Sequence, residues 1–149
     1  MPHTLKRTIL HALESNDLEA VVSLAISDRT VLSRLIRIAY DKDTLAGWRA
    51  IITVGIIARA LVKTEPELLR ENCRKLLWSL TDESGGIGWS APEMLGEIVS
   101  AAPDRFQDIV PLIASLALAF IGDRKFAPEV NILGSASTFG ASIQLALQV

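Results

Sequence analysis

The chain has 149 residues, half of them apolar and only 5% aromatic, with a formal net charge of −2. That length fits one domain with a real core, and the apolar share excludes a disordered chain. A charge so near neutral argues for no nucleic-acid partner, and the Leu, Ile, Ala and Val that supply the apolar mass suit packed helices better than aromatic-rich strands.

In chain order, residues 4–14 and 17–26 read as two short helices. Ser15-Asn16-Asp17 breaks them, with Asn16 or Asp17 placed to cap the second. Leu18, Val21, Val22, Ala25 and Ile26 then follow at helical spacing. A helix over 29–40 carries the stripe Val31, Leu32, Leu35, Ile36 and Ala39. After the turn Asp41-Lys42-Asp43 comes a helix over 44–62. Between Leu45 and Leu61 only Arg49, Thr53 and Arg59 interrupt its apolar run, the pattern of a helix buried by neighbours on more than one side.

Pro66 opens a helix over 66–81, with Leu68, Leu69, Cys73, Leu76, Leu77 and Leu80 as its stripe. The Gly-rich turn 82–88 leads to a helix over 90–101. There Ser90 and Glu93 have capping-box spacing and Pro92 sits in the first turn. Pro103 ends that unit. Asp104 is placed to cap a helix over 104–121, and Gly122-Asp123-Arg124-Lys125 form a turn. A last helix lies within 127–147, with breaks expected near Gly134 or Gly140. No stretch alternates in the manner of a strand, so the expected class is all-α.

Part of this sequence is written twice. Trp48, Gly55 and Ile57 recur 41 residues later as Trp89, Gly96 and Ile98, and Asp41 recurs as Asp82 and Asp123. Such a period marks stacked supersecondary units. A glycine inside a helix costs about 1 kcal/mol relative to alanine. Its return at the same place predicts a neighbour passing too close for a side chain. Trp48 and Trp89, at the helix entries, suit rings that cover the preceding turn.

The pattern Arg-x-x-x-x-Val-Gly-x-Ile at 49–57, with Ser-x-x-x-x-Leu-Gly-x-Ile at 90–98, resembles the HEAT-like repeats of armadillo-type α-solenoids. Glu93 and Ser90 depart from it, and in a third copy the same step puts Val130 and Ser137 at the Trp and Gly positions, whereas a shorter step would use Leu133-Gly134. The resemblance implies a short right-handed α-α superhelix of about four helix pairs. Residues 1–27 would be a capping pair, and 29–62, 66–102 and 104–147 the repeats. It also implies second helices that line a concave, partner-binding face.

Little in the chain suggests catalysis. A single cysteine, Cys73, excludes an internal disulfide and fits a reducing compartment; on an apolar stripe it reads as an inert small hydrophobe. His3 and His11 lack acidic or cysteine partners for a metal. The glycines at 85–88 match neither a P-loop nor a dinucleotide fingerprint. Glu93 and Glu97 read as a solvated acidic edge. No cofactor is expected, no signal peptide or membrane span is evident, and the cytoplasm is the default location.

The functional expectation is a non-enzymatic scaffold or adaptor that binds another protein. Trp48, Arg49, Arg59, Trp89, Glu93 and Glu97 are its candidate contact residues. Residues 1–80 carry a net +3 and residues 81–149 a net −5, so nucleic-acid binding of a DNA-repair type through the basic first half is the runner-up. It would use Arg34, Arg37, Arg49, Arg59, Lys63, Arg70, Arg74 and Lys75. A chromophore lyase-like activity follows only from the resemblance. The apolar end of the chain (Ile143, Leu145, Leu147, Val149) suggests a homodimer through the last pair.

Overall fold

The computed structural model describes residues 2–41, 44–81 and 90–113. Among the described residues six α-helices run in order: α1 (Pro2–Glu14), α2 (Leu18–Ser27), α3 (Thr30–Ala39), α4 (Leu45–Leu61), α5 (Pro66–Thr81) and α6 (Ala91–Ala101). A one-turn 3-10 helix, Pro103–Arg105, follows. Among the described residues there is no strand, so the chain is all-helical there. None of their helices is long and apolar enough to cross a membrane.

The breaks are set by polar side chains at the helix ends. Asn16 adopts φ 60°, a left-handed conformation that asparagine tolerates. There the Asp17 N–H donates to the Ala12 carbonyl at 2.8 Å, and the Asn16 N–H to that of Leu13 at 3.2 Å. These paired bonds close α1 in a Schellman motif. The Asp17 carboxylate then accepts from the Ala20 N–H at 3.2 Å and caps α2. Asp28 opens α3, accepting from the Thr30 hydroxyl at 2.7 Å and its N–H at 2.9 Å. Those bonds, the hydroxyl's first, hold the Asp28 carboxyl below the usual range. Thr44 caps α4 by accepting from the Gly47 N–H at 3.0 Å. A Cβ at Gly47 would strike the Asp41 carbonyl oxygen, so glycine lets the α3–α4 turn close.

α4 is the centre of the packing. It lies along α3 of its own pair, α2 of the pair before and α6 of the pair after, and it also touches α1 and α5. The second helices α2, α4 and α6 are thus neighbours in chain order, whereas α1, α3 and α5 make no extensive contact with one another. Ala50, Ile51, Val54, Ile57 and Ala58 of α4 are buried with Leu32 and Leu35 of α3, Leu69, Cys73 and Leu76 of α5, and Met94, Leu95 and Ile98 of α6.

Two expectations are corrected. No α-helix begins at 104: Asp104 sits inside the 3-10 turn, residues 107–109 form a turn, and helical geometry resumes at Val110. A start at 110 puts Pro111 in a first turn, where its missing N–H costs nothing, whereas a helix from 104 would hold it in the interior. The Ser90–Glu93 capping box does not form either. Ser90 makes no side-chain cap bond, and its buried hydroxyl has no partner. Residues 82–89, the turn at 122–125 and the helix expected within 127–147 lie outside the described residues.

Candidate interaction face

Trp48, Arg49 and Arg59 lie on one side of α4 at helical spacing, together with Leu45, Ile52 and Ile56. Leu45 is 63% exposed and Ile52 45%. Trp48, Arg49 and Ile56 are half-buried and Arg59 is exposed. The helix with the most helical neighbours therefore still leaves one apolar strip to solvent. From Thr44 to Thr64 the chain contains no Asp or Glu, so Arg49, Arg59 and Lys63 make this strip basic. On the neighbouring helix α2, Ile26 is exposed as well.

Arg49 has a structural task. Its guanidinium donates to the carbonyls of Leu13 at 2.8 Å and Glu14 at 2.9 Å. These belong to the last turn of α1, where carbonyls lack intrahelical donors and the dipole favours a cation. Two further arginines make comparable links. Arg29, before α3, pairs with Glu65, before α5. Arg70 of α5 bonds Asp108 at 2.8 Å and the Arg105 carbonyl, with its guanidinium 5.4 Å from the centre of the buried Phe106 ring. The bond to Asp108 raises the Arg70 pKa and lowers that of Asp108. Each link spans 35 to 38 residues and joins one unit to the next.

The acidic candidates on α6 differ from one another. Glu97 is half-buried and its carboxylate lies where a Cβ of Gly55 would be. The close neighbour expected at Gly55 is thus a side chain of α6. Glu93 is only 6% exposed, which corrects the expectation of a solvated acidic edge. Contact with α4 and α5 covers α6 so fully that Glu97 alone among residues 90–99 is not buried. Trp89 and the 85–88 turn lie outside the described residues, as does the apolar end assigned to a homodimer.

Sequence reasoning passed over Leu45, Ile52 and Ile26 as exposed groups. The common face of Leu45, Ile52, Ile56 and Arg59 was the available signal. It also passed over Trp78 on α5, which is 76% exposed.

Other sites are less organised. Cys73 is fully buried, and burial pushes its thiol up to about 12 against a smaller opposing effect of Arg70. It is therefore protonated and unreactive at neutral pH. His3 and His11 are exposed, and among the described residues no three His, Cys, Asp or Glu side chains group to hold a metal. Where α1 and α3 stand apart, a groove of about 410 Å³ opens, lined by Lys6, Leu10, Glu14, Arg34, Arg37 and Asp41 among others. Its charges are mixed. No known family model matches the chain, and no curated protein or solved structure is significantly similar to it.

Proposed function

We propose that this protein is a non-enzymatic interaction scaffold: a short right-handed solenoid of helix pairs, similar to HEAT-like arrays, that offers the strip on α4 to another protein. The observation that carries this reading is the exposure of Leu45 and Ile52 on the helix that otherwise forms the middle of the core. Exposed apolar side chains gathered on one rigid face favour an interaction surface. The side-by-side contacts of α2, α4 and α6 and the arginine links between units support a stacked array and a preformed face, which lowers the ordering cost of binding.

Nucleic-acid binding is the runner-up and has weaker support. Of the eight basic residues that suggested it, Arg49 serves carbonyls, Arg70 serves Asp108 and the Arg105 carbonyl, and Arg74 pairs with Glu71. The deciding experiment immobilises the full chain and its Ile52→Asp variant, then captures partners from the native cell. A protein held by the wild type and lost with Ile52→Asp is the expected result. Salt-dependent retention of duplex DNA that disappears with Arg59→Glu would favour the runner-up instead.

A further inference from the structure

We infer that the α4 strip recognises an acidic amphipathic helix, an inference that rests on the scaffold reading and names the chemistry of its partner. The strip is divided along its length. Leu45, Trp48, Ile52 and Ile56 supply apolar contact over the first three turns. Arg59 and Lys63 follow at the C-terminal end, both exposed and neither in an ion pair with a described residue. Arg49 lies within the apolar part, but its guanidinium is held by the carbonyls of Leu13 and Glu14.

No carboxylate stands on α4 itself. On the flanking helices, Glu19 lies at the start of α2 and Glu97 rests against Gly55, while past Lys63 come Glu65, which pairs with Arg29, and Glu67 in the first turn of α5. None of these carboxylates pairs with Arg59, on the last turn of α4, or with Lys63, just beyond it. A complementary partner therefore has apolar side chains at i, i+3, i+4 and i+7, the usual way a helix lies against such a surface. It carries its Asp and Glu at the one end that meets Arg59 and Lys63. Charge at one end fixes the direction of docking as well as the sign of the partner.

The test uses the full chain and two labelled synthetic helical peptides, each about 18 residues long, with identical leucine stripes. One carries glutamates at a single end and the other carries lysines there. The acidic peptide is expected to bind at least about tenfold more tightly, with the gap narrowing as salt is raised. Ile52→Asp, or the milder Ile52→Gln, should weaken both peptides. Arg59→Glu with Lys63→Glu should reverse the preference, and circular dichroism melts check that each variant is folded.

Equal affinities, no binding of either peptide, or indifference to Arg59→Glu would overturn the inference. Self-association of the wild type that Ile52→Asp abolishes would also overturn it, making a second copy the occupant. So would capture of duplex DNA in place of the peptide. A cellular partner that needs Ile52 but ignores the charge at Arg59 would leave the scaffold reading intact and defeat this one.

Discussion

Gly55 of α4 and Glu97 of α6 meet where these two helices pack. A methyl group at Gly55 would displace the Glu97 carboxylate, with the Glu97 Cβ also near at 3.1 Å. In wild-type background, Gly55→Ala should therefore gain none of the helix propensity that alanine normally brings. With Glu97→Ala in place, the same change should gain up to about 1 kcal/mol. A double-mutant cycle by urea denaturation measures this coupling; additive effects would contradict the contact. At this scale sequence reading was half successful. The close neighbour it required is present at Gly55, yet it is a side chain, which periodicity cannot specify. The adjacent pair Ile52 and Thr53 reverses the order that polarity alone suggests. Thr53 is fully buried because its hydroxyl donates to the Arg49 carbonyl at 2.6 Å, while Ile52 faces solvent. A threonine that satisfies itself on its own helix can be buried, and polarity alone does not show which residues do so.

At the scale of elements, the starts of α2, α4 and α5 were legible, whereas the Ser90 cap expected for α6 was not. Asp17 and Thr44 do the local capping that their chemistry suggests, and Pro66 begins α5. The segment after Pro103 was not legible in the same way. It follows the long-range contacts of Phe106 with the core and of Arg70 with Asp108, neither of which has a local signature. The Asp108 link gives an acid-sensitive element. Its bond to Arg70 places the folded carboxyl below its unfolded value, ordinarily about 3.9. The stabilisation is therefore complete above that value and is lost as pH falls through the folded pKa. Asp108→Asn should be less stable than wild type at pH 7, and the difference should shrink below about pH 4. A gap in melting temperature that stayed constant with pH would show that the pair contributes nothing.

For the whole molecule, the arginine links span 35 to 38 residues, near the 41-residue step of the sequence repeat. Each unit is tied to its neighbour in the chain, and α4 is shared between the units on either side. The helical class and the burial of α4 could be read from composition and periodicity. The exposed face of α4 could be read only in part: Trp48, Arg49 and Arg59 marked a side, but which apolar residues the neighbours leave open on an almost wholly apolar helix was not legible. The role of Arg49 was hidden for a related reason, since its carbonyl partners lie 35 and 36 residues away.

The central claim is that α4 joins the units before and after it into one stack. Ile57 of α4 is fully buried, and Ile57→Ala should cost about 2–5 kcal/mol. Hydrogen exchange followed by mass spectrometry on the full chain reads where that loss appears. Faster exchange in α2, α4 and α6 together is the predicted result. Loss of protection confined to α3 and α4, with α2 and α6 unchanged, would contradict it.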